Sequence, residues 1–159
     1  MTTPPSYVPD SALTDIAKIR REATRVAAIV HHPPDEIFSS TNSALQQQAA
    51  LDAFYVGIRL LIEFLEVRPA NRDQSASDTL PGWSISHMTQ PEVGQLLAYH
   101  EDTSKHVVHF STLRTNQIQV NEPDIRKVAD DILAVWDEFA RASAHPFVLR
   151  SADLAGYHF

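Results

Sequence analysis

Apolar residues recur at helical spacing through most of this chain, and no run alternates in the strand period. Leu13, Ile16, Val26, Ala27 and Val30 mark one stripe, with Arg20, Arg21 and Arg25 on its flank. The stripe predicts a first helix, capped by Asp10 or Ser11 and running to about His31, where Pro33 and Pro34 stop it. A second helix is expected from Asn42 or Ser43 to about Val67. Its second half is apolar nearly all round, at Phe54, Tyr55, Val56, Ile58, Leu60, Leu61, Ile62, Phe64 and Leu65. Its polar stripe is narrow: Gln48, Asp52, Arg59, Glu63 and Glu66. That pattern describes a central, largely buried helix, on which Arg59 and Glu63, four residues apart, can pair.

Thr89 followed by Glu92 is a capping-box pattern, opening a third helix to about Arg114. Asn121, Pro123 and Asp124 open a fourth, to about Ser143, with its stripe at Ile125, Val128, Ala129, Ile132, Val135, Trp136 and Phe139. Between the second and third helices, residues 68–90 form a long connection, which Leu80 and Trp83 are expected to tie to the bundle. Asn-Gly and Asp-Gly hairpin signals are absent. The expected fold is therefore all-α: a four-helix bundle with a long loop between helices 2 and 3 and an apolar C-terminal tail. Residues 1–9 read as an arm, 10–143 as the bundle, and 144–159 as a tail. Phe147, Val148, Leu149, Leu154, Tyr157 and Phe159 are too apolar for water, so the tail packs on the bundle or on a partner.

Composition narrows the function classes. The 159 residues suit one domain, and 43% hydrophobic with 21% charged residues excludes disorder over the whole length. No stretch approaches the roughly 20 apolar residues of a membrane span. Met1 to Asp10 lacks the basic and apolar regions of a secretory signal. Cysteine is absent, which removes disulfides, thiol nucleophiles and thiolate metal ligands and fits a cytoplasmic location. The balance of 13 basic against 20 acidic residues, a net charge of −7, disfavours a protein that grips duplex DNA. Arg20, Arg21 and Arg25 form the one dense basic cluster, read as a solvated face or, as the alternative, the place where RNA or an acidic partner would bind.

The most unusual chemistry lies on the third helix, in the run from His100 to His109. On a helical wheel Val93, Leu96, Leu97, His100, Val107 and Ser111 share one side, while Asp102, His106, His109 and Leu113 gather nearly opposite, bordered by Tyr99 and Phe110. Three readings of that cluster stand open. His106 and His109 can move protons near neutral pH. Asp102, His106 and His109 can contribute to a metal site, with His87 and His100 as further ligands. Or the histidines are solvated or at an interface, with Asp102 touching His106.

Several segments together point to a family. They are Arg59, Leu60, Leu61, Ile62, Glu63, Phe64 and Leu65; a loop with Asp78, Pro81 and Trp83; and Lys105, His106, Val107, Val108, His109 and Phe110 through Arg114. Over about residues 53–115 the chain resembles abortive-infection-like bacterial members of the higher eukaryotes and prokaryotes nucleotide-binding (HEPN) superfamily. That resemblance implies an all-α bundle, often dimeric. It also implies metal-independent ribonuclease chemistry in toxin–antitoxin or phage-defence systems, built on an Arg and, four to six residues later, a His. His109 matches that His. Asp102, Thr103 and Ser104 stand where the Arg is expected, and a carboxylate there repels phosphate. By the resemblance His109 is the catalytic acid/base, His106 assists it, and Lys105 or Arg114 steadies phosphate. Arg59, Glu63, Asp102 and Trp83 then shape the cleft. No cofactor or metal is required, and the expected partners are a second copy through the His106/His109 face and RNA. The alternatives are a non-enzymatic helical protein-interaction module, favoured by the acidic charge, and a histidine-rich metal-binding bundle.

Overall fold

The computed structural model describes residues 14–70, 74–108 and 121–157, with side chains at 106–108 excepted. Its elements are α1 (Asp15–His31), α2 (Pro33–Ile37), α3 (Ala44–Phe64), α4 (Ala76–Thr79), α5 (Gln90–Val108), α6 (Glu122–Ser143) and α7 (Ser151–Leu154). The described residues contain no strand, so the fold is all-α. None of their helices is long and apolar enough to cross a membrane. The expected arm, residues 1–9, lies outside the described residues, as do His109, Phe110, Leu113 and Arg114.

Helix ends follow from side-chain oxygens meeting orphan N–H groups. The Ser43 hydroxyl accepts from the Gln46 amide while Gln46 Oε1 accepts from the Ser43 N–H, a reciprocal capping box that opens α3. Thr89 and Glu92 do the same before α5. The Asn121 side chain caps α6. At α1 the expectation is corrected: Thr14, not Asp10 or Ser11, is the cap, its Oγ1 accepting from Ala17 N–H. Pro33 and Pro34 end α1 but also start α2, because proline lacks only an N–H that the first helical turn leaves unused.

The second correction is at the end of α3. It stops at Phe64 rather than near Val67. The Val67 N–H reaches back to the Ile62 carbonyl and the Glu66 N–H to the Glu63 carbonyl. This is a Schellman closure, with Glu66 at a φ of 65° where glycine is usual. The Glu66 carboxylate then accepts from the backbone N–H and hydroxyl of Ser77, tying the following loop to the helix end. That loop is not structureless. Ser75 and Asp78 form a third capping box around the single turn of α4.

The interior centres on Trp136, Phe139, Phe54, Ile58, Leu61, Ile62 and Ile132, all without exposed surface. Trp83 and Phe64 each set a ring edge-on to Phe139 with centroids 5.4 Å apart, and the Trp83 indole N–H donates to the Leu65 carbonyl at 3.0 Å. The long loop is therefore pinned to the C-terminal end of α3. The tail packs on its own bundle. Leu154 is fully buried, Trp136 donates to the Leu149 carbonyl at 2.8 Å, Thr24 to the Phe147 carbonyl at 2.5 Å, and Asp137 accepts from Ser151.

α3 packs against α1, α2, α5 and α6. Gly57 sits where α1 crosses closest: a Cβ there would lie 2.9 Å from Ile29 Cγ2 and 3.1 Å from Val30 Cγ2. The expectation of an all-round buried helix is corrected on the side away from the core. Val56 and Leu60 are 39% and 42% exposed, and Leu45 80%. These packed neighbours cover only part of the helix circumference, and the arc carrying these residues faces outward. On α5, likewise, Leu97 is exposed although Leu96 and His100 are buried.

Candidate functional site

Burial selects one titratable cluster. His100 comes from the inward face of α5 and is only 4% exposed. Opposite it, the last turn of α3 presents Glu63, and the chain just past the α3 closure presents Arg68. His100 Nε2 lies 2.9 Å from Glu63 Oε1, and His100 Nδ1 lies 3.0 Å from Arg68 Nη1. Arg59, one turn back on α3, donates from Nε to the same Glu63 Oε1 at 3.1 Å.

These partners settle the ring tautomer. A guanidinium carries only donors, so Nδ1 must accept from Arg68. The ring proton then sits on Nε2 and donates to Glu63. One proton and one lone pair are both used, and the neutral imidazole is fully satisfied. Burial alone would raise the Glu63 carboxyl. The hydrogen bonds from His100 and Arg59 outweigh it and hold the carboxyl below its ordinary range. The His100 carbonyl accepts from the hydroxyls of buried Thr103, at 3.0 Å, and Ser104, at 2.8 Å. The ring is thus gripped by Glu63 and Arg68, while its own helix holds only the His100 backbone carbonyl.

Arg59 and Glu63 pair as their spacing requires, and Trp83 anchors the loop. Asp102 lies on the exposed side of α5, where its charge helps raise the Tyr55 hydroxyl, although burial of Tyr55 is the larger cause. Lys105 forms an exposed ion pair with Glu101 at 3.1 Å. His106 falls within α5, but its side chain, like His109 and Arg114 entirely, is outside the described residues. Tyr99 turns toward α6, donating to Asp131 Oδ2 at 2.8 Å. His87 meets Glu138 rather than His100. Among the described residues no three His, Asp or Glu side chains converge as a metal site.

The basic cluster on α1 is not a simple solvated face. Arg20 donates across to the Thr79 carbonyl, Arg21 stacks over Phe147 with its guanidinium carbon 5.4 Å from the ring centroid, and Arg25 pairs with Glu22. The residue that spacing alone undervalued is Arg68, which follows the helix and belongs to no stripe. The available signal was an acid, Glu63, on the apolar second half of the helix and a lone base, His100, on a core stripe. Buried groups of that kind must find partners.

Beside this cluster a groove of about 510 Å³ runs between α1 and α3, lined by Ile19, Ala23, Val26, Leu60 and Phe64 with Glu22 and Glu63 at its edges. No family model, curated protein or solved structure matches the chain.

Proposed function

We propose that this chain is a non-enzymatic helical interaction module that works in the cytoplasm and binds through the open face of α3. The observation that supports it most is the run of exposed apolar side chains at Leu45, Val56 and Leu60, continuous with the apolar groove against α1. Contiguous exposed apolar surface of that kind marks a binding face. The buried histidine supports the same reading. Both ring nitrogens of His100 are committed to Glu63 and Arg68, so it has neither a proton nor a lone pair to offer a substrate. The absence of cysteine supports the cytoplasmic placement.

The test is a ribonuclease assay on total RNA, with and without EDTA, beside His109→Ala. An interaction module leaves the RNA intact in every lane. Cleavage that resists EDTA and disappears in His109→Ala overturns the proposal in favour of a HEPN-type nuclease using His109, His106, Lys105 and Arg114. Cleavage abolished by EDTA overturns it in favour of a metal-binding bundle.

A further inference from the structure

The outward face of α3 has an order of side-chain sizes that a random surface lacks. Leu45, Ala49, Ala53, Val56 and Leu60 follow one another at spacings of four, four, three and four, and all are exposed. At 1.5 Å per residue the stripe is about 22 Å long. It is bulky at both ends and small in the middle. We infer that this stripe is the docking face for a second copy of the same chain, with the two α3 helices antiparallel about a two-fold axis between Ala53 and Val56.

Size complementarity favours that occupant. Antiparallel pairing about this axis sets Ala53 level with the second copy's Val56, and Ala49 level with its Leu60. Each small residue then faces a large one, and the two-fold repeats both pairs. Alternating large and small residues across facing positions is what close helix packing requires. Parallel pairing would instead set alanine against alanine and leucine against leucine, leaving gaps and clashes along one seam.

Charge order favours it as well. Asp52, which accepts from Gln48, and Arg59, which donates to Glu63, lie along one flank of the stripe, between 100° and 180° round the wheel from the α1-facing side. In an antiparallel two-fold pair, like flanks face each other with the sequence reversed. Asp52 of one chain then comes within two residues of level with the second copy's Arg59, and the symmetry gives the reciprocal pair. An interface of this kind is isologous, one patch meeting itself. At one end of the stripe Leu60 also lines the groove against α1, so the apolar surface continues past a single helix width.

This inference rests on the interaction-module reading, and its test is separate from the ribonuclease assay. The chain has no cysteine, so introduced thiols report cleanly. Sedimentation of the full chain should give about twice the 17.8 kDa chain mass at concentrations near 100 µM. Ala53→Trp, at an exposed site, should leave the helical circular dichroism and melting temperature of the dilute chain in place while weakening self-association by about tenfold or more. Mild oxidation of an equal mixture of Ala53→Cys and Val56→Cys chains should yield the mixed disulfide in clear excess over either self-pair. A chain that stays monomeric overturns the inference. So does a dimer indifferent to Ala53→Trp, or one in which Ala53→Cys or Val56→Cys chains couple mainly to themselves. A monomer that leaves RNA intact removes the second copy alone; RNA cleavage removes the underlying reading.

Discussion

One helix, α3, is built with its polarity reversed at two places. At its C-terminal end an acid, Glu63, points inward and is met by the buried His100 and by Arg59, with Arg68 behind the His100 ring. Along its middle, Val56 and Leu60 point outward with about two-fifths of their surface in water. The inward acid is tolerable because two donors, His100 Nε2–H and Arg59 Nε–H, meet its Oε1. The outward apolar row costs the monomer little, since much of any folded protein's surface is apolar. What they share is that neither follows from the amphipathic rule alone. A buried ion needs specific partners, and an exposed apolar row needs a reason to stay apolar.

The comparison can be broken first at the inward end. Glu63→Ala leaves His100 Nε2–H and Arg59 without their acceptor, and removing one partner of a largely buried pair costs about 3 kcal/mol. Urea unfolding should show that loss, and a cycle with His100→Ala should be strongly non-additive. A loss under about 1 kcal/mol would mean the cluster is solvated in practice.

Gly57 tests the side of α3 that faces α1. In an open helix Gly→Ala gains about 1 kcal/mol. Here the new methyl meets Ile29 and Val30 at the crossing, both β-branched and stiff. Gly57→Ala should therefore destabilise the fold by about 1–2 kcal/mol, as overpacking does. A gain in thermal stability would show that the crossing can open without cost.

Acid sharpens the inward cluster further. His31 is lowered mainly by burial and then by neighbouring His32, and His145 mainly by burial and then by Arg20. A base lowered on folding binds protons more readily when unfolded, so stability should fall as pH drops through about 6.5. Glu63 is an acid lowered on folding. Its contribution is present above the unfolded carboxylate value and is lost as pH falls through the folded one. Melting temperature against pH should thus decline in two stages. Glu63→Gln should flatten only the lower, below about pH 4.5, and an unchanged lower stage would contradict the cluster.

The outward face carries the smallest expected effect. Val56→Gln or Leu60→Gln should change the unfolding free energy of the dilute chain by no more than about 0.5 kcal/mol, as for exposed sites in general. A loss of 2 kcal/mol or more would place those side chains in the core and remove the contrast.

Much of the framework was legible because it rests on local chemistry. Ser43, Asn121 and the Thr89–Glu92 pair are caps whose oxygen sits at fixed distance from an orphan N–H, and spacing is enough to find them. The α6 stripe is buried nearly as written because one face of a regular helix meets the core. The start of α1 was blurred by several candidate cap oxygens in a row. The end of α3 was hidden because Glu66, not glycine, takes the left-handed position. α4 was overlooked although Ser75 and Asp78 carry the same reciprocal pattern as Ser43 and Gln46. The candidate site was legible only in halves: Arg59 with Glu63 by spacing, His100 by its stripe. Their meeting, and Arg68 with them, depends on how α5 crosses α3, which no local pattern encodes.

The central claim is that His100 is a locked, neutral part of the framework, and long-range nitrogen–proton NMR of its ring tests this most directly. The account predicts a proton on Nε2, none on Nδ1, and slow exchange of that proton with water. A proton on Nδ1 would mean that Arg68 is not its donor and that the ring is free to act elsewhere.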